Sequence, residues 1–584
     1  MRLATVIGVL LGVLFDCLGL YLMLVLGFIG VGVGLSITLL FGHVLLKRFQ
    51  ASNQETLTII LATFRGSSAA SFTISLVFTI WLATNYSIEF PSWLMPPLHV
   101  LMERNVFHQA WLIPLAVRYF LMIVPGMLGL IWGWGLRDRL IEEEKLDFPN
   151  QLQTAKLIQS VTTGGQQAKT LSKMILLGLV VTAIIELSGF NVLDFSNTGV
   201  GWLIGMQIGA LGLVMAAAGY VVGPKLSGSL CISSILFWTL LSPFIVGGAP
   251  GLGYYDFFSM AMSGEYLSIG LGLIIMGVVL FPMIKGRKKK SEGGETDQKR
   301  KGLWTRIKKI FASFSFIFRN SRIAFAYFGF IIICVCFVLF FGVLGSVNSL
   351  MAVATTLVVL VVGGSIQMII ILRMFGATGV ASGLPLVFYE VPIFLTGYSG
   401  YTAYCSMPSV EADSGIGIVA CSKVARMTKT DEKALLKAFI VGNLSAIAVT
   451  PIFGLLLWRT YGIGTAALPT PAFPALGALI SVFATRSIGG ILSLPFVGMG
   501  LLIGLLVSFT LFLNAMGFAI GIFLPPHFAI CFLAGGLVRW WTERRKGKEY
   551  FQEKGLNVST GLSTGASFTI LILIIIALIS GRMF

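Results

Sequence analysis

The sequence predicts an all-α, polytopic integral membrane protein of about sixteen transmembrane helices in two repeat-related halves, with broken or re-entrant segments. Three observations carry that reading. Of 584 residues, 56% are hydrophobic and only 11% charged, with a mean hydropathy of +0.91, whereas a soluble domain carries about 25% charged residues. Apolar runs of the length that a roughly 30 Å hydrocarbon core demands recur along the whole chain. Glycine-rich turns in the first half reappear in the second.

The first eight runs lie near 4–25, 28–46, 56–84, 109–135, 170–190, 200–222, 225–247 and 265–285. Eight more follow near 323–345, 348–373, 379–398, 432–458, 472–485, 488–513, 519–540 and 562–582, with a weaker run at 400–424. These divide the chain into an N-terminal membrane half (1–285), a basic linker (286–322) and a C-terminal membrane half (323–584). The first half carries a cytoplasmic or interfacial segment near 136–169. Because Met1-Arg2-Leu3 leads straight into apolar sequence, the start reads as a first span rather than a cleaved signal.

The formal net charge is +17, but the basic residues cluster between apolar runs, so the charge reads as topology and not as a nucleic-acid surface. Eleven Lys or Arg fall between Lys285 and Lys309, which places this loop in the cytoplasm by the positive-inside rule. Beyond it, Trp304, Ile307, Phe311, Phe314 and Phe318 alternate with Arg306, Lys308 and Lys309, a pattern suited to an amphipathic helix on an anionic leaflet. The same rule puts Lys47-Arg48, Arg137 to Lys145, Arg426 to Lys433 and Arg544 to Lys548 on the cytoplasmic side, with the N-terminus. The expected location is the cell membrane.

The segment Gly27-Phe28-Ile29-Gly30-Val31-Gly32-Val33-Gly34-Leu35 recurs as Gly376-Ala377-Thr378-Gly379-Val380-Ala381-Ser382-Gly383-Leu384, with three glycines, a valine and a leucine in register. A second pair is Gly219 to Lys225 and Gly521 to His527, each ending one span and opening the next. Both pairs exchange membrane faces in the topology above, as inverted repeats do. Broken helices in corresponding positions of two halves point to a transporter's midplane binding site, because unwound turns offer backbone N–H and C=O groups to a solute.

An ionisable group inside a span costs at least about 2.5–3.5 kcal/mol on insertion scales, so each needs a partner, a water-filled cavity or a function. Asp16, Arg65, Arg118, Glu186, Arg373 and Glu390 all sit in apolar surroundings, and Tyr404 to Gly415 is the most polar apolar-flanked stretch. A carboxyl in a low-dielectric site titrates nearer neutrality, which proton coupling requires. Glu390, Glu411 and Asp413, clustered around the repeated glycine turn, are the foremost proton-coupling candidates, with Asp16 beside them. Gly27, Gly30, Phe148, Pro149, Gly376, Gly379 and Tyr389 are the substrate-binding candidates. A buried ion pair or snorkelling chain end remains the alternative for each charge.

Other chemistry is poorly represented. The four histidines are too scattered for metal-ligand spacing, and no Walker A or dinucleotide fingerprint occurs. The seven cysteines read as small apolar packing residues. Gly397-Tyr398-Ser399-Gly400 resembles the serine turn of rhomboid-type intramembrane proteases, but no histidine lies near it in sequence.

Several blocks together resemble the oligopeptide transporter superfamily, which includes peptide carriers and yellow-stripe-like carriers of metal chelates. They are the opening span to Tyr21 and the Gly27 turn, Ser52-Asn53-Gln54-Glu55, Leu146-Asp147-Phe148-Pro149 with Thr154-Ala155-Lys156-Leu157, and Gly219 to Pro224. Arg373 to Gly379, Gly521 to Pro526 and Gly535 to Trp540 complete the resemblance, which runs over nearly the whole chain. It implies about sixteen spans and proton-driven import of small peptides, peptide derivatives or metal chelates, with no cofactor beyond the proton gradient. The sequence departs from the family at Asn150-Gln151-Leu152-Gln153, at Ala566 and around Pro408 to Asp413. The expected function is secondary transport by alternating access, against a channel or an intramembrane enzyme. Expected partners are the solute and membrane lipid, with large apolar faces that permit a homodimer.

Overall fold

The computed structural model describes residues 2–26, 33–49, 53–66, 69–187, 210–241, 265–276, 321–345, 347–379, 387–465, 468, 470, 473–486, 493–510, 513–522, 524 and 526–580. Gly27, Gly30, the predicted amphipathic helix and the basic linker apart from its last two residues, Ser321 and Arg322, lie outside these residues. Among the described residues the secondary structure is helical, apart from one isolated bridge between Thr465 and Leu468.

The N-terminal part comprises α1 (Arg2–Leu26), α2 (Val33–Arg48), α3 (Gln54–Gly66), α4 (Ala69–Asn85), α5 (Leu98–Met102), α6 (Leu112–Asp138), α7 (Pro149–Thr163) and α8 (Gly165–Leu187). After these come α9 (Ala210–Val222), α10 (Pro224–Ile235) and α11 (Glu265–Ile274). The C-terminal part begins with α12 (Ser321–Phe340), α13 (Ser349–Leu357), α14 (Gly364–Thr378), α15 (Val387–Leu395), α16 (Thr402–Ser406), α17 (Ala412–Thr428) and α18 (Glu432–Tyr461). It closes with α19 (Phe473–Thr485), α20 (Leu494–Phe509), α21 (Ala515–Gly521), α22 (Pro526–Lys546) and α23 (Leu556–Ser580).

Six helical stretches among the described residues are long and apolar enough to cross a bilayer unaided: Leu3–Tyr21, Gln109–Glu143, Ala168–Glu186, Ser321–Phe340, Ser349–Thr378 and Glu432–Tyr461. Others come as shorter pieces. The apolar run at 56–84 divides into α3 and α4, and the weak run at 400–424 divides into α16 and α17, with Met407 and Glu411 extended between them. Single-window hydropathy cannot see such breaks, because residues on both sides remain apolar.

Glycine sets how closely the helices cross. Lipid tails are as apolar as leucine, so helices in a bilayer associate through backbone approach and van der Waals contact rather than by escape from water. A Cβ added to Gly178 of α8 would strike the Leu562 carbonyl of α23, and one on Gly565 would strike Ile175. On α3 and α18 the same holds for Gly66 against Phe439 and for Gly442 against Thr63.

The second sequence pair packs reciprocally. Gly219 of α9 lies against the Phe532 carbonyl of α22, and Gly521 of α21 lies against the Leu230 carbonyl of α10. Both positions shift by the same 302 residues, 219 to 521 and 230 to 532. The polar contacts are also reciprocal, with a shift of 301 residues: Trp238 donates its indole N–H to the Ile522 carbonyl at 2.8 Å, while Arg539 donates to the Val221 carbonyl at 2.5 Å. Gly223, at φ +93°, makes the turn that lets Pro224 open α10. A left-handed conformation of this kind suits glycine because it lacks a Cβ.

One end of the bundle gathers three of the basic segments. Arg137 bonds Glu432 at 2.9 Å, and Arg426 reaches Glu432 and Glu142, both at 2.7 Å, as well as Asp138. The Thr58 hydroxyl lies 2.8 Å from that of Thr428, which brings the start of α3, just after Lys47-Arg48, to the same end. The cysteines carry no disulfide, and Cys231, Cys334, Cys405, Cys421 and Cys531 are buried, as expected of packing residues.

Replacing Gly178 with alanine should lower the thermal unfolding midpoint in detergent by several degrees, because its Cβ must push back a backbone carbonyl. Gly329→Ala on α12, where nothing lies within 4 Å of the added Cβ, should leave it unchanged. Equal midpoints for the two variants would contradict the glycine account.

Candidate functional site

Two distant blocks, 146–150 and 373–379, fold against each other. Phe148 is fully buried and sits in the left-handed region, at φ 48° and ψ 62°, immediately before Pro149 opens α7. That conformation costs a non-glycine residue about 1–2 kcal/mol. Its backbone N–H donates to the Gly376 carbonyl at 2.7 Å. A hydrogen bond contributes about 1 kcal/mol and burial of the ring about 1.5–3 kcal/mol, so the contact outweighs the strain. The Phe148 ring meets Phe375, and Asn150 donates its side-chain N–H to the Gly379 carbonyl at 2.8 Å.

Gly376 is confined by this contact, since an added Cβ would lie 2.7 Å from Leu146 Cδ1 and 2.9 Å from Phe148 Cζ. Arg373, one turn earlier on α14, forks onto Glu144 at 2.6 and 3.0 Å and ties the same two blocks together. Beside them opens a cavity of about 510 Å³, lined by Leu146, Asp147, Leu152, Lys145, Glu142 and Lys423 among others. The volume suits a small solute, and charges of both signs line it.

A second centre forms where α3 and α4 adjoin and where α16 gives way to α17. Glu411 caps α17: its carboxylate accepts the N–H groups of Asp413 and Ser414, both at 2.6 Å. Its own N–H donates to the Pro125 carbonyl of α6 at 3.3 Å. Glycines allow that approach, because a Cβ on Gly129 or Gly133 would strike the Glu411 or Gly415 carbonyl. Across this seam Arg65 of α3 stands within electrostatic reach of Asp413. Arg65 and Glu411 are each partly exposed at this seam.

A family model described as OPT oligopeptide transporter protein matches residues 3–577. The chain belongs to that family. No curated protein matches the sequence. Membership makes this a multi-pass membrane protein of a transporter family and not an enzyme, and it implies oligopeptides or metal chelates as solutes. The serine turn at Gly397–Gly400 is therefore not a protease site.

The remaining sequence candidates of the transporter fall in two places. Asp16, on α1, is 7% exposed and accepts a hydrogen bond from the Thr450 hydroxyl of α18 at 2.8 Å. Tyr389 and Glu390 lie on α15. The Tyr389 hydroxyl donates toward the carbonyls of Ala403 and Tyr404, at 3.0 and 2.5 Å. Glu390 is 2% exposed, and its Oε2 has no hydrogen-bond partner among the described residues.

Among the described candidates, the structure thus brings Phe148, Pro149, Gly376 and Gly379 into one contact, Glu411 and Asp413 into another, and Tyr389 and Glu390 into a third. Sequence reasoning marked Arg65 and Arg118 as charges within apolar runs but did not choose them as site residues. Arg65 meets Asp413 hundreds of positions away and Arg118 meets Ser75 and Thr79 on another helix, so only the cost of a charge in lipid pointed to them.

Gly376→Ala should reduce solute uptake at least about tenfold at equal membrane abundance, because Leu146 and Phe148 must both retreat from the new methyl. Unchanged initial rates would show that the Phe148–Gly376 contact is not part of the transport machinery.

Proposed function

We propose that this transporter imports short peptides, peptide derivatives or metal chelates by proton-coupled alternating access. In this reading, repeat-related halves at 1–285 and 323–584 rock against each other, and the basic linker at 286–322 and the N-terminus lie in the cytoplasm. The end of the bundle that holds Arg137, Arg426 and the start of α3 is then the cytoplasmic one, in keeping with the excess of Lys and Arg there. The reciprocal contacts of α9 and α10 with α21 and α22 support a duplicated architecture, since contacts of one pair recur in the other after a common shift of 302 residues.

The observation that carries the coupling reading is the pair of neighbouring carboxyls, Glu411 and Asp413, set across the α3–α17 seam from Arg65, which lies within electrostatic reach of Asp413. Two carboxylates and one guanidinium leave one negative charge uncompensated. Binding one proton removes it, so the charge of the centre, and with it the cost of closing lipid-facing helices around it, depends on protonation. The proton belongs to the pair rather than to either residue. Gly376, Gly379, Phe148 and Pro149 are buried and act from behind, holding in place the segment that lines the 510 Å³ cavity where the solute binds. Gly27 and Gly30 would complete it from the other half.

In proteoliposomes, Asp413→Asn should abolish accumulation driven by an inward proton gradient while leaving solute counterflow measurable. Asp413 is the cleaner target, because Glu411→Gln also alters the cap of α17, a change that costs about 0.5–2 kcal/mol at such positions. Full gradient-driven accumulation by Asp413→Asn would remove the carboxylate pair from the coupling mechanism.

A further inference from the structure

We propose that Arg118 is the subsite that receives a carboxylate group of the transported solute; the inference rests on the transport reading above. Arg118 stands in the first third of α6 and is 4% exposed. Its Nη1 donates to the Ser75 hydroxyl at 3.1 Å and its Nη2 to the Thr79 hydroxyl at 3.2 Å. Both acceptors lie on α4, one helical turn apart. Neutral hydroxyls orient a guanidinium but do not cancel its charge.

Among the described residues no carboxylate comes within ion-pair distance of Arg118, although Arg137, Arg139, Arg373, Arg426 and Arg539 all reach one. The side chains of those five are all partly exposed, between 17% and 25%. Arg118 is more deeply buried than any of them, and its Nε has no partner. Removing one partner from a buried charge pair is strongly destabilising, so a lone buried guanidinium needs a compensating return. A solute that brings its own anion supplies it.

The geometry favours a carboxylate. A guanidinium has five N–H donors; Ser75 and Thr79 use two and leave three, including the Nε–H that takes part in a forked carboxylate pair. The surroundings are also reachable. Tyr389, within electrostatic reach of Arg118, is partly exposed, and Ser75, which holds the guanidinium, is exposed, so accessible surface lies next to it. Next to Tyr389 in sequence is Glu390, a buried carboxyl with an unpartnered oxygen that does not pair with Arg118. A cation and an acid that both come within electrostatic reach of Tyr389 and do not pair with each other suit a solute that carries both charges. A peptide C-terminus and a chelator's carboxylates share the required group.

The test uses the full chain in proteoliposomes. Uptake is compared for a short peptide with a free C-terminus and for its C-terminal amide, and for an iron-loaded carboxylate chelator against an iron-loaded hydroxamate chelator without carboxylates. Wild type should take the carboxylate member of at least one pair about tenfold faster or better. The responding pair distinguishes peptide from chelate. Arg118→Gln should bring that solute down to the rate of its neutral counterpart, and Arg118→Lys, which keeps the charge but loses the fork, should fall between. If Arg118→Gln is not recovered as a monodisperse protein, Ser75→Ala with Thr79→Val serves instead, with the preference expected to drop severalfold. Equal uptake within both pairs by wild type, or a proportional loss of both members in the variants, overturns the inference alone. No flux of any of the four solutes overturns the transport reading and the inference with it.

Discussion

Close backbone approach at glycine is the constraint from which the rest of this structure follows. Between helices surrounded by lipid there is little gain from removing apolar surface from water, so stability depends on how near two backbones can come. Gly129 and Gly133 let α6 lie directly on the start of α17, and Gly66 and Gly442 do the same for α3 and α18. Those crossings set Arg65 opposite Asp413 and bring the Glu411 N–H to the Pro125 carbonyl. A methyl group at any of these positions would hold the backbones apart and take the charged centre with them.

The broken helices solve a second problem created by the first. Backbone groups freed at a break must find partners inside protein, because lipid offers none. Glu411 answers that requirement at α17 with two charge-assisted bonds to backbone N–H groups, and Phe148 answers it at α7 through the Gly376 carbonyl. The same breaks leave partly solvated side chains deep within the bundle. In the proposed mechanism, polar groups that repair a helix end are also the ones that meet a proton or a solute.

Much of this was legible in the sequence, for identifiable reasons. Hydropathy and charge clustering depend on the local chain, so the all-helical membrane class and the gathering of the Arg137 and Arg426 segments with the start of α3 could be anticipated. The glycine turn at 376–379 and the Phe148-Pro149 pair were recognisable as blocks, and their contact joins two predicted site segments. What sequence could not supply was pairing across distance: Arg65 and Asp413 are 348 positions apart, and nothing local to either announces the other. The division of 56–84 into α3 and α4 was also hidden, since Gly66 followed by small residues reads as ordinary membrane helix. Arg118 was visible as a charge in an apolar run, but its lack of a carboxylate partner is a three-dimensional fact.

The central claim is that the seam between α3, α6 and α17 is an internal space open in turn to either side of the membrane. Ala412 lies within it, between Glu411 and Asp413, and is partly exposed. The direct measurement is labelling of a single cysteine at position 412, in a background without other cysteines, by an impermeant thiol reagent applied to one face or the other. The account predicts labelling from both faces, with the balance shifted by an inward proton gradient or by bound solute. Labelling from neither face, or from one face regardless of gradient and solute, would contradict it.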